Sequence, residues 1–229
     1  MIASPLTLEH AFDIGPVSVS KPVVIAWALM AFLTLVGALT TRRLAMRPGG
    51  AQTVLETFVE TLDDQIRATM RCDPAPYRAL LGSIFLFVLA ANWCSILPGV
   101  ESPTARLETD AALALIVLAA TVWHGLRTRG VWGYLKTFAE PSFIMIPLNL
   151  VEQITRTFSL IVRLFGNVMS GAFVVGIVLS LAGLLAPIPF MALDLLTGAV
   201  QAYIFAVLAM VFIGAAVAEE RRSDSAGNG

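Results

Sequence analysis

The chain has 229 residues, of which 57% are hydrophobic and only 14% charged, with a formal net charge of −1. Its mean hydropathy is +0.81. A soluble domain of this length needs far more charge to cover its surface, so the composition excludes an ordinary globular enzyme and points to a polytopic membrane protein. The net charge identifies no partner; the placement of the charges is more informative.

Met1–Ser20 holds Glu9, Asp13, prolines and glycines, with no basic start before an apolar core. It reads as a polar external segment kept in the mature protein rather than a cleaved signal. The first span is Pro22–Thr41, followed at once by Arg42, Arg43 and Arg47. In "AQTVLETFVETLDDQIRATM" the residues Val54, Leu55, Phe58, Val59, Leu62, Ile66 and Met70 recur at helical spacing, opposite Glu56, Glu60, Asp63, Asp64 and Arg67. This predicts an amphipathic helix beside the membrane on its cytoplasmic side.

A second span runs from Tyr77 to Leu97 and ends at Pro98-Gly99. A polar loop with Glu101, Arg106, Glu108 and Asp110 leads to a third span, Ala111–Leu126, with Trp132 and Tyr134 as interfacial residues beyond it. From Pro141 the chain is almost continuously apolar, and two helices are predicted, Ile146–Leu185 and Phe190–Ala218, in a hairpin closed at Pro187/Pro189. The first would be about 60 Å long at 1.5 Å per residue, too long for an upright span, so it tilts strongly, bends or begins outside the membrane. The tail "EERRSDSAGNG" reads as polar and disordered.

The fold class expected is therefore an all-α polytopic membrane protein with about five membrane helices, a long C-terminal hairpin and one short amphipathic helix. It forms a single membrane domain: residues 1–21 external, 22–141 three spans with their loops, 142–218 the hairpin, and 219–229 the tail. Threading the spans alternately puts eleven basic residues on one side: Arg42, Arg43, Arg47, Arg67, Arg71, Arg78, Arg127, Arg129, Lys136, Arg221 and Arg222. Only two, Lys21 and Arg106, fall on the other. That asymmetry places the N-terminus outside and the C-terminus in the cytoplasm.

Along the first hairpin helix Glu152, Arg156, Ser159, Arg163, Asn167 and Ser170 share one ridge. Glu152 and Arg156 form an acid-before-base pair one turn apart. Arg163 has no acid within a turn on either side, and arginine cannot shed its charge. A cation at mid-membrane costs about 2.5–3.5 kcal/mol. Its counter-charge must come from elsewhere, and the small residues Gly166, Ser170, Gly171 and Gly176 beside it suit the close approach of another helix. The second hairpin helix has its own stripe, Asp194, Thr197, Gly198 and Gln201. An Asp194–Arg163 pair holding the hairpin shut and a hydrated ion path lined by these groups are both open readings. Asn92 is equally compatible with a helix–helix hydrogen bond and with a channel.

Cys72, Cys94, His10 and His124 have no metal-ligand spacing, and the chain has no phosphate-binding glycine loop or nucleophile triad. No metal, no cofactor and no active site of its own are expected.

"RLFGN" (Arg163–Asn167), preceded by "FSLIV" and followed by "MSG", resembles the signature of subunit a of F-type ATP synthases. So does "TGAVQAYIFAVLAMVFIGAAVAEE", and "NWCSILPG", "SPTARLETDAALAL" and "IPLNLVEQITRTFSL" follow the family's order. The resemblance implies a membrane stator lying against a rotating ring of c subunits, with peripheral-stalk b subunits as further partners, in a bacterial inner membrane and with no nucleic acid. It implies that two offset half-channels meet near Arg163, with Gln201 its partner on the neighbouring helix and Asn167 on the same surface. Asp194 stands where other members have histidine or glutamate, while the glutamate many bacterial relatives carry nine residues after the arginine is here Ala172. One carboxylate would then do the work of a pair, with Glu152, Arg156, Ser159, Ser170, Thr197 and Asn92 as supporting groups. Arg106 replaces the acid that usually follows "SPTA". A proton-coupled secondary transporter with Asp194 as the proton site and Arg163 as an anion anchor, and a scaffold whose ion pairs only fix packing, are the competing readings.

Overall fold

A computed structural model of the chain describes residues 10–14, 17–42, 50–96, 102–139, 145–183 and 185–218. The elements are β1 (His10–Ile14), β2 (Val17–Ser20), α1 (Lys21–Thr41), α2 (Gly50–Met70), α3 (Ala75–Trp93), α4 (Leu107–Ala139), α5 (Met145–Ala182) and α6 (Ile188–Ala218), with short 3-10 turns at Cys94–Ile96 and Pro103–Ala105. Five of the helices are long and apolar enough to cross a membrane, as the sequence predicts. The Pro98-Gly99 break, Trp132 and Tyr134, the first nine residues and the polar tail lie outside the described residues or side chains.

One addition to the expected all-helical plan is small. β1 and β2 pair antiparallel, Ile14 opposite Val17 and Asp13 opposite Ser18. Alternating Phe12, Ile14, Val17 and Val19 supply the β-branched and aromatic residues that a strand pair favours.

α6 is the centre of the bundle and packs against α2, α3, α4 and α5. Lipid is as apolar as leucine, so helices in a membrane gain little from burial itself and associate through close packing. The packing face of α6 is accordingly small: Gly198, Ala202, Ala206, Ala209 and Gly214 are buried there, with Phe205, Met210 and Ile213 filling the remaining gaps. A Cβ on Gly198 would lie 3.0 Å from the Cβ of Asn92, and one on Gly214 3.2 Å from Cγ of Met70. α1 is the least held: Pro22 and Ala26 are buried, but Trp27, Phe32, Leu35 and Leu39 are exposed.

α2 is amphipathic as predicted, burying Leu62, Ile66 and Met70 while Glu56, Glu60 and Asp64 stay exposed. Asp63, expected on the polar face, is instead buried and binds Arg78 of α3, whose Nε donates to Oδ1 at 2.6 Å and whose Nη2 donates to Oδ2. This two-pronged pair ties α2 to the start of α3. Asp63→Ala is expected to lower the thermal midpoint in detergent by several degrees, because it strips Arg78 of its partner. Asp64→Ala, whose Arg67 contact is largely exposed, is expected to leave it unchanged.

Two boundaries differ from the sequence reading. α4 begins at Leu107, not Ala111, so Glu108 and Asp110 belong to its first turn rather than to a loop. Hydropathy had cut the span where the charges begin, whereas the backbone continues helical through them. The helix is interrupted at Gly130, with φ 68°. α5 is 38 residues long, so at 1.5 Å per residue it extends about 57 Å. It ends at Gly183, whose φ of +77° is the left-handed conformation that closes helices. Pro187 is buried in the turn, while Pro189 falls inside the first turn of α6, where a missing N–H costs nothing.

Candidate functional site

The two faces of α5 differ sharply. Leu160, Leu164 and Val168 are buried against the bundle. Phe158, Val162, Phe173 and Ile177 are exposed. The polar ridge belongs to the outward side: Glu152, Ser159, Arg163, Gly166 and Ser170 are exposed, and Arg156 and Asn167 are half-buried at its edge. Its exposed middle, around Ser159 and Arg163, thus faces away from the chain's own helices, while Arg156, Asn167 and Ser170 lie at the edge toward α6.

The two arginines of α5 have different surroundings. Arg156 donates from Nη2 to Oε1 of Glu152, and its guanidinium lies over the ring of Phe212 at 5.4 Å from the centroid. That combines an ion pair within one helix with a cation–π contact across to α6. Arg163 makes no hydrogen bond and no ion pair among the described residues. An internal pair with Asp194, one of the two open readings, is not formed. Asp194 rests over Gly171, eight positions after Arg163, so along α5 the two are separated by about 12 Å.

Gly171 provides that seat. A Cβ there would lie 2.6 Å from Cγ of Asp194 and closer still to Oδ1, so only glycine admits the carboxylate. Around it Asn167, Ser170, Gly171 and Val174 of α5 and Phe190, Leu193, Asp194 and Thr197 of α6 line a cleft of about 180 Å³. That volume holds several waters, and it offers them two hydroxyls, an amide and a carboxylate. Four of the residues singled out from sequence, Asn167, Ser170, Asp194 and Thr197, are therefore brought to one site.

A hydrogen-bonded thread leads from this cleft to the end of α3. Ser95 Oγ donates to Oδ2 of Asp194 at 3.5 Å and to the carbonyl of Asn92 at 2.7 Å, alternative positions of one hydroxyl. Asn92 is buried; its Nδ2 donates to the carbonyl of Gly198 at 3.0 Å, and its Oδ1 accepts from Thr104 Oγ1 at 2.8 Å. Thr104 Oγ1 lies 2.7 Å from Ser102 Oγ, which also donates to the carbonyl of Ala91 at 2.7 Å. Trp93 Nε1 donates to the carbonyl of Leu195 at 3.3 Å, holding the same two helices together. Of the two alternatives raised by the sequence, the structure shows the helix–helix hydrogen bond, and it joins Asn92 to a polar string.

Gln201 is buried on α6, and its Nε2 finds no acceptor among the described residues. The structure does not join it to the outward-pointing Arg163. Ser95, Ser102, Thr104 and the seat at Gly171 were not read from sequence as site residues, because they meet Asp194 and Asn92 only through tertiary packing. Asp110 was also missed; it is fully buried. The signal for it was present, since Asp110, Ala114, Val117 and Thr121 form one helical stripe continuous with the span.

Residues 23–214 match the family described as ATP synthase A chain. Over 217 residues the chain is 55% identical to "ATP synthase subunit a 2" of Bradyrhizobium sp. strain BTAi1, covering 95% of this chain and 97% of that one. It is 43% identical to "ATP synthase subunit a" of Albidiferax ferrireducens over 91% of this chain and 89% of that one. With "ATP synthase subunit a 1" of Hahella chejuensis it shares 38% identity over 97% and 93%.

Proposed function

Because this chain belongs to the ATP synthase subunit a family, we propose that it is the ion-translocating stator of the rotary complex, working against a ring of c subunits with Arg163 as the separator of two half-channels. Membership makes it a membrane-embedded subunit of an ATP synthase. The observation that carries the finer reading is Arg163 itself, a permanent cation on a polar ridge flanked by exposed apolar residues, with no partner among the described residues.

An acidic group on a passing rotor subunit would supply the missing charge. An opposite charge within about 4–6 Å favours the ionised form of a carboxylate, so a rotor acid reaching Arg163 gives up its cation there. The same fixed charge repels any cation moving directly between the half-channels. Ions then cross only by riding the ring, and each charge carried through 100 mV yields about 2.3 kcal/mol. The outer half-channel comprises the string Ser102, Thr104, Asn92 and Ser95 and the cleft around Asp194. Its outer position rests on the basic-residue asymmetry, which favours an N-terminus outside and a C-terminus in the cytoplasm, and the reading puts the complex in a bacterial inner membrane. Gln201, with its unengaged amide donor, and Asn167 flank the exchange zone, and the peripheral-stalk b subunits complete the stator.

Purification through a C-terminal tag in a mild detergent is expected to recover a ring of small two-helix proteolipids with an intramembrane acid. Recovery of the chain with its lipid alone, under conditions that keep the ATPase headpiece attached, would refute the reading.

A further inference from the structure

Asp110 is a second acid buried in the bundle, and no role described above uses it. It is 0% exposed, and neither carboxylate oxygen has a hydrogen-bond partner among the described residues. It lies in the first turn of α4 on the buried stripe that continues through Ala114, Val117 and Thr121. An acid in a first turn can be a helix cap, but this one is not. Its own backbone N–H already donates to the carbonyl of Arg106 at 3.3 Å, and its side chain accepts no backbone N–H. The 3-10 turn Pro103–Ala105, which carries the buried Thr104, packs on α4 and α5. Asp110 follows Thr104, a member of the polar string that runs through Asn92 and Ser95 to Asp194, by six residues at the head of α4.

We propose that Asp110 is a second cation-holding carboxylate of the translocation pathway, which receives a proton or a sodium ion from the outer side and passes it toward Asp194. The proposal rests on the stator reading above. An ionised carboxylate this deep with no partner is among the most costly states a side chain can take, and a bound proton or small cation removes that cost. Facing the start of α4 are the Pro103–Ala105 turn and, across a space shared with Glu108, Thr109, Ala112 and Leu113, uncharged residues of α1 and α3 such as Val23, Trp27, Ser83 and Phe87. α5, which also packs on α4, bears no charge after Arg163, α6 bears only Asp194 among the described residues, and Arg106 and Glu108 flank Asp110 in the chain. Among the described side chains, no basic group on those facing elements is hydrogen-bonded to the carboxylate. In the proton case, Asp110 loses its proton inward as Asp194 gains one, and outer water refills it. In the sodium case the ion exchanges carboxylate and hydroxyl ligands along the same route.

The test uses the whole complex in vesicles, with ATP synthesis driven by an imposed gradient and the outer-side pH and sodium concentration varied separately. The variants are Asp110→Asn, Asp110→Leu and Asp110→Glu, with Arg163→Ala alongside. A positioned proton-transfer group contributes about 10²–10⁴-fold. Asn and Leu are expected to slow synthesis at low outer cation by about tenfold or more and to raise the outer concentration giving half-maximal rate, with Glu near wild type. Which titration moves, pH or sodium, identifies the ion. Leu is also expected to leave thermal stability equal or higher, since it removes a buried unpartnered charge-bearing group. An assembled Asn or Leu complex with unchanged outer-cation dependence overturns the proposal, as does a loss explained wholly by lower assembly. If Arg163→Ala abolishes transport while Asp110 variants behave as wild type, only this inference fails; if Arg163→Ala transports normally, the stator reading fails with it.

Discussion

Replacing Arg163 with alanine is expected to abolish ATP-coupled ion movement while leaving the subunit folded and assembled. Its guanidinium touches no partner among the described residues and lies on the outward face of α5. Truncating it leaves no buried group unpaired, so the stability change should stay within about 0.5 kcal/mol, as for other surface substitutions. On the stator reading two functions are lost together. Rotor acids no longer meet a fixed cation that favours their ionised form, and nothing repels a cation crossing between the half-channels. Reconstituted vesicles should show no ATP-driven gradient and a raised passive leak. Arg156→Ala is the informative contrast, because it unpairs Glu152 and uncovers Phe212 and so should lower thermal stability. Normal pumping by Arg163→Ala vesicles would sink the mechanism.

The second large effect is expected from the smallest substitution. Gly171→Ala adds one methyl group, yet its Cβ would sit 2.6 Å from Cγ of Asp194. Either the carboxylate leaves its seat or α5 and α6 move apart, and both separate Asp194 from Asn167 and Ser170 across the cleft. Transport should fall on the order of a hundredfold, the same range as for Asp194→Asn, as expected when a positioned transfer group is lost. Gly176→Ala, with nothing within 4 Å of its Cβ, should be silent. Initial rates of ATP-driven uptake in matched vesicles compare the three. Equal rates for Gly171→Ala and wild type would show that the position of Asp194 does not matter to the pathway.

The sequence revealed what is periodic and concealed what is tertiary. Helical spacing alone put Glu152, Arg156, Ser159, Arg163, Asn167 and Ser170 on one ridge, and the structure keeps them together. The overlong helix and the five spans followed from run length. What spacing could not show was which way a ridge points, since a stripe facing a neighbour and a stripe facing outward have the same period. Asp63 was misplaced for that reason, because its mate Arg78 is on another helix. Asp110 was lost to a different effect: charges at a helix start lower the local hydropathy and resemble a loop, although the backbone there is helical. The Ser102–Thr104–Asn92–Ser95 string joins distant segments, and no local pattern announces it.

The length of α5 also governs how the membrane voltage divides between the two charged positions. Standing upright, the helix would set Asp194 and Arg163 about 12 Å apart in depth, close to two-fifths of a hydrocarbon layer of about 30 Å. Leaning by about 60°, as a helix of some 57 Å must to stay within that thickness, it halves the separation. The steeper the lean, the smaller the electrical step between the two positions. On the stator reading, a charge moving between the two positions then works against a correspondingly smaller share of the membrane potential.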